Sequence, residues 1–227
     1  HGPSAANRHD PHRVHVGAVT PHRVWSGGLM AALVKPPELS PPMAAGTFYA
    51  LNPGGAEPWQ LVDGEPQAMS LARPDHGAPQ GELGAVIRNA LRAACSRCRL
   101  VVTSGVMPRL DATHNIRIPD LAVTCTDPAI EGAWLTSPVL VAEILSPSNE
   151  DDTWRNVWSY ASIPSMRDIL VVRSLEIGAE VISRREDGSW PEDFTTVSGR
   201  VRLASIDAEF DVAEFYATTE LARPVAP

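Results

Sequence analysis

Lysine is almost missing from this chain. Lys35 stands alone among 19 basic residues, and the other 18 are arginine, whose guanidinium stays protonated and cannot serve as a base. Cysteine is scarce and odd in number, with Cys95, Cys98 and Cys125 only, which is not the framework of a small secreted protein and points to a reducing, cytoplasmic setting. Nowhere do about 18 apolar residues run together, as a membrane span would need. The short run at 29–34 is preceded by Ser26-Gly27-Gly28, so the chain reads as soluble with no membrane partner. An excess of positive charge is missing too. A net charge of −8 and a pI near 5.3 argue against a tight, non-specific binder of the nucleic-acid backbone.

What is present is enough for a real core: 227 residues, 44% of them apolar. The chain begins with His1, and Met30 and Met43 are candidate native starts. Positions 1–46 hold five of the seven histidines and two copies of Pro-His-Arg-Val without apolar periodicity, so they read as a disordered leader, with a fragment, a processed product and a reading frame extended upstream of the true start as the alternatives for the missing initial Met. The histidines there lack the spacing of a metal site. A domain is expected over 47–218, followed by a flexible tail at 219–227.

Within that domain, Asp63-Gly64 marks a turn between two short extended segments. Leu83, Val86, Ile87, Ala90, Leu91 and Ala94 trace one stripe of a helix, with Asp75 as a candidate cap and Pro79 in the first turn. Strands are expected at 100–106, 121–126 and 139–145, then a helix at 151–163, then strands at 169–172 and 179–183 with a turn at Asp187-Gly188. In the second helix, Trp154, Val157, Trp158 and Ala161 repeat at helical spacing, which places both tryptophans on the core side rather than on a base-stacking surface.

Two carboxylates interrupt apolar strands. Asp120 opens Asp120-Leu121-Ala122-Val123, and Glu143 closes Val139-Leu140-Val141-Ala142-Glu143. If these strands pair antiparallel, the start of one lies beside the end of the other. Converging hard oxygens suit Mg²⁺ or Mn²⁺, which take one or two carboxylates together with substrate phosphates, and a phosphodiester is the matching substrate. The bland alternative makes Asp120 a strand cap and Glu143 the partner of an arginine such as Arg117.

Pro119-Asp120, Glu143-Ile144-Leu145-Ser146-Pro147-Ser148, a following helix with Tyr160, and Leu61-Val62-Asp63-Gly64-Glu65 upstream together resemble the Uma-type (Uma-two) restriction endonucleases of the PD-(D/E)XK superfamily. The resemblance covers about 59–216. It implies an α/β restriction-endonuclease-like core, a central mixed sheet flanked by helices, with Asp120, Glu143 and the Ile144 carbonyl as metal ligands. It implies Mg²⁺ or Mn²⁺ as cofactor, DNA as partner, and a homodimer as a candidate assembly. It also exposes a departure. The superfamily's lysine position is Leu145 here, and the displaced position used by Uma-type proteins, four residues before the tyrosine, is Asn156. Arg155 beside it and Arg117 are candidates to orient a phosphate. A catalytically impaired fold serving as a binding module is the rival function.

Other groups have a bland and a functional reading. His76, His114 and Glu82 are candidates for the site or for surface and capping roles. Arg88, Arg92 and Arg99 form a phosphate track or a solvated face. Cys95 and Cys98, with Cys125 and His114, make at most half of a zinc site.

Overall fold

The computed structural model describes residues 41–51, 58–94, 96–109, 112–126, 134–135 and 137–223. These fall in one compact unit, Ser40–Pro227. Most of the expected leader, positions 1–40, lies outside the described residues, as does Cys95.

Helix α1 (Ala45–Leu51) straddles the boundary expected at 46 and buries Ala45 and Phe48 against Leu61 and Ile116. Its entry is fixed by the Met43 amide donating to the Gly64 carbonyl at 2.9 Å. Strands β1 (Trp59–Val62) and β2 (Glu65–Ala68) form the expected hairpin. Asp63 and Gly64 both take positive φ, 51° and 82°, the conformation a two-residue primed turn demands. A side chain on Gly64 would also collide with Pro42, its Cβ falling 2.3 Å from that of the proline.

Helix α2 (Pro74–Ala93) starts earlier than its stripe suggests. Pro74 at the first helical position loses no hydrogen bond, because the first amides have no intrahelical partner. Asp75 lies in the first turn instead of capping, and Pro79 falls in the second turn, buried. Leu83, Ile87 and Leu91 face the core as expected, whereas Ala94 is exposed.

The strand expected at 100–106 is broken. Thr103 takes φ +52°, which a β-branched residue rarely adopts, and splits it into β3 (Arg99–Val102) and β4 (Gly105–Val106). There follow β5 (Leu121–Thr124), the two-residue β6 (Trp134–Leu135) beside β4, and β7 (Pro138–Leu145). Helix α3 (Glu150–Ala161) crosses from β7 to the parallel β8 (Asp168–Arg173), and β9 (Ala179–Ser183) returns antiparallel. The described residues form a mixed five-stranded sheet in the order β3-β5-β7-β8-β9.

Period two sorts the strand side chains onto two faces. Leu140, Ala142 and Ile144 of β7 pack under α2 and the C-terminal segment, while Val141 and Leu145 pack under Val157 and Tyr160 of α3. That C-terminal segment, with β10 (Arg200–Leu203), β11 (Ala208–Asp211) and the 3-10 turn Val212–Tyr216, had no counterpart in the sequence reading. Its anchor is Tyr216, fully buried, whose hydroxyl bonds the Arg173 and Gly178 carbonyls at 2.7 and 2.8 Å; burial pushes that phenol up to about 12. Thr219, placed in the expected tail, is buried as well.

Two further expectations are corrected here. Trp158 is 45% exposed, and the face that α3 buries consists of Thr153, Val157 and Tyr160. Trp154 is only partly buried and stacks on Phe194 with ring centroids 4.8 Å apart. Cys98 and Cys125, expected in a reducing setting and weighed as part of a zinc site, are joined in a disulfide that links the start of β3 to the end of β5, so neither is available as a zinc ligand.

The end of α3 is held from across the sheet. Arg184, just past β9, donates to the carbonyl of Ala161, the last helical residue, and to those of Ile163 and Pro164 in the turn that follows, at 2.9 to 3.1 Å. Its guanidinium lies 4.8 Å from the ring of Trp190, whose indole N–H also bonds the Ala161 carbonyl.

Candidate active site

Strands β5 and β7 are antiparallel with Leu121 opposite Ala142, so one further step sets Asp120 beside Glu143 at the end of the sheet. Each side chain is tied to the other strand. The Ile144 amide donates to Asp120 Oδ2 at 2.7 Å, and the Asp120 amide reaches Glu143 Oε2 at 3.4 Å. Because the N–H and C=O of a strand residue point to the same edge, the Ile144 carbonyl turns toward Asp120 as well. It accepts a long bond from Asn149 Nδ2 at 3.3 Å.

Glu143 is buried, and its partner is a phenol rather than an arginine. Tyr160, fully buried on α3, donates to Glu143 Oε1 at 2.6 Å. Burial and then the charge of Asp120 push Glu143 well above the usual carboxylate range, although the Tyr160 hydroxyl and the Asp120 amide pull the other way. Burial, with Glu143 beside it, pushes Tyr160 up in turn.

Helix α2 supplies a residue that sequence reasoning weighed but did not commit to. His76 Nε2 lies 2.9 Å from Asp120 Oδ1, and Gln80, one turn on, donates to the Asp120 carbonyl at 3.1 Å. Burial alone would lower His76, but the hydrogen bond and charge of Asp120, helped by Asp75, hold it above its ordinary value. The sequence signal was a histidine and a glutamine at i and i+4, ahead of the apolar stripe.

Other expected site residues are elsewhere or differently engaged. Arg117 is buried and donates to the Leu61 carbonyl at 2.9 Å, so it is not presented to a phosphate. Burial lowers its pKa. Arg155 is exposed and paired with Asp152 at 2.7 Å. Asn156 is half-buried, one turn before Tyr160. Glu82 points away from the carboxylates and accepts from Thr218. His114 lies at the β1–β2 turn, where its carbonyl accepts from Gly64. Arg88, Arg92 and Arg99 are exposed, and Arg99 donates to the Thr126 carbonyl at 3.0 Å.

A mixed sheet with helices on both faces, a strand–helix–strand crossover and two carboxylates at the end of adjacent strands defines a restriction-endonuclease-like α/β protein. The same fold is seen in the crystal structure of a "putative nuclease belonging to DUF820" from Anabaena variabilis, with a TM-score of 0.61, 15% identity, and coverage of 78% of this chain and 98% of that one. The chain belongs to the Uma2 family, described as "Putative restriction endonuclease", which matches residues 46–211. It is also 30% identical over 163 residues to the uncharacterized protein slr1290 of Synechocystis sp., covering 70% of this chain and 84% of that protein. Among the described residues, no helix is long and apolar enough to cross a membrane.

Proposed function

We propose that the chain is a divalent-metal-dependent endonuclease that hydrolyses phosphodiester bonds in DNA, with Mg²⁺ or Mn²⁺ held by Asp120, Glu143 and the Ile144 carbonyl. The observation that carries this reading is the cross-strand pairing of the Asp120 and Glu143 carboxylates at the sheet end, each accepting from a backbone amide of the other's strand segment. Two carboxylates placed together, one of them buried and driven toward its neutral form, are what a cation would relieve.

The donor set fits a hard cation. Among the described residues, no group of three His, Cys, Asp or Glu side chains gathers into a site. A cation here would therefore rest on two carboxylates and a carbonyl and keep several waters, which is the habit of Mg²⁺. When bound, it would supply charge stabilisation to the phosphoryl group and acidify water. The chain's own residues fix the ligands: Tyr160 orients Glu143, and the Ile144 amide orients Asp120. Asn156, at the vacant lysine position, would offer an amide without charge.

One observation favours a second reading, a binding module that has lost cleavage. Of the two arginines nearest the carboxylates in sequence, Arg117 is buried against a carbonyl and Arg155 is engaged by Asp152. Plasmid cleavage with Mg²⁺, Mn²⁺ or EDTA, beside Mn²⁺ calorimetry, separates the two. The nuclease reading expects metal-dependent nicking, its loss in folded Asp120→Ala and Glu143→Ala, and a gain in Asn156→Lys. No cleavage and no metal binding by the wild type would leave the binding-module reading in its place.

A further inference from the structure

We infer that His76 is a positioning residue of this site, holding the Asp120 carboxylate in the orientation that cation binding requires; the inference rests on the nuclease reading above. The bond to Asp120 Oδ1 spans 44 positions of sequence and is sheltered, with side-chain exposures of 16% for His76 and 15% for Asp120. Shelter strengthens a hydrogen bond and raises the cost of losing it.

The Asp120 carboxylate is thus held at both oxygens by separate elements, Oδ1 by the imidazole of α2 and Oδ2 by the Ile144 amide of β7. Turning the carboxylate about its Cβ–Cγ bond would break one or both of these bonds. Gln80 fixes the backbone of the same residue from the same helix face, so α2 grips both the carbonyl and the side chain.

Packing does not account for the histidine. The side chains that dock α2 on the sheet are Pro79, Leu83, Ile87 and Leu91, all later in the helix. His76 sits in its first turn, half-buried, and its Nδ1 has no hydrogen-bond partner among the described residues. The helix would pack without it, and Asp120 would not be held. Ligating carboxylates characteristically take such outer bonds, and their loss weakens metal affinity or activity by about 10- to 100-fold.

The test compares His76→Gln, His76→Asn and His76→Ala in the full chain. The glutamine amide reaches about as far as Nε2 and keeps the donor at Asp120, whereas the asparagine amide stops at the reach of Nδ1. Mn²⁺ affinity is measured by calorimetry, plasmid cleavage is measured as a function of Mn²⁺, and urea midpoints report the fold. The expected result is a loss of about 10- to 100-fold in Mn²⁺ affinity for Asn and Ala, near-wild-type affinity for Gln, and similar urea midpoints for Gln and Asn. If Asn binds Mn²⁺ within twofold of the wild type, the inference is overturned while the nuclease reading stands. If Gln is as impaired as Asn, the hydrogen bond is not the cause and the inference is again overturned. If the wild type neither binds Mn²⁺ nor cuts, both fall together.

Discussion

Replacing Tyr160 with Phe deletes one oxygen and one hydrogen bond while leaving the ring in place. Tyr160 is fully buried, and its hydroxyl meets Glu143 Oε1 at 2.6 Å inside the apolar cluster under α3. No ring-sized cavity opens, so the cost is that of leaving a buried carboxyl oxygen without its partner, about 1 to 3 kcal/mol. At about 2 to 4 °C per kcal/mol for a domain of this size, Tm should fall by roughly 2 to 12 °C. The lost donor is also one of the two that pull Glu143 downward, so Glu143 should move further up and metal binding should weaken at neutral pH. Urea unfolding of Tyr160→Phe, Glu143→Gln and the double variant gives the coupling energy between the two groups. A loss below about 0.5 kcal/mol in the single variant, with no coupling, would refute the claim that this bond holds Glu143.

Trp158→Ala should cost less than about 1.5 kcal/mol because the ring is half in solvent, whereas the fully buried Val157 should cost about 1.5 to 3 kcal/mol on truncation to Ala. The reverse order in urea midpoints would mean that α3 is rotated. Arg184→Ala removes the donor to the Pro164 carbonyl and one of two donors at each of the Ala161 and Ile163 carbonyls, and takes the cation from the face of Trp190, so a loss of about 1 to 3 kcal/mol is expected by thermal unfolding. Arg184→Lys should recover only part of it, since an ammonium cannot span the same fork. For pH, Glu143 is raised in the fold, so it favours the native state fully below its unfolded pKa of about 4.3 and loses that contribution as pH rises toward the folded value. In metal-free protein, the stability of the wild type relative to Glu143→Gln should therefore decline as pH rises from about 4 to 8; a difference that grows with pH would contradict the direction assigned to Glu143.

The carboxylate pair was legible in the sequence because a charge inside a β-branched run is conspicuous, and because the runs around Asp120 and Glu143 are bounded well enough to imply neighbouring strands. The stripe of α2 and strand β9 were legible for the same reason, a strong period. The rotation of α3 was not. Its sequence carries two overlapping stripes that share Val157, Trp154-Val157-Trp158-Ala161 and Thr153-Val157-Tyr160, and hydrophobicity favours the first. The structure takes the second, where the Tyr160 hydroxyl finds a buried acid that no helical pattern could reveal. His76 was underweighted because its partner lies 44 residues away and its turn precedes the apolar stripe. The C-terminal hairpin was missed because β10 and β11 are four residues each and alternate with arginine, glutamate and aspartate. Arg117 was misjudged because buried arginine is uncommon, and only the fold shows the carbonyl it serves.

The grip of Arg184 and Trp190 on the Ala161 carbonyl ties the C-terminal end of α3, one residue past the tyrosine that touches Glu143, to the turn beyond β9, at the edge of the sheet opposite β3. That turn therefore helps to set the backbone beside Tyr160, the residue that bonds Glu143. Loosening that turn, as in Arg184→Ala, should disturb Glu143 indirectly, and weaker Mn²⁺ binding by that variant in calorimetry would show it.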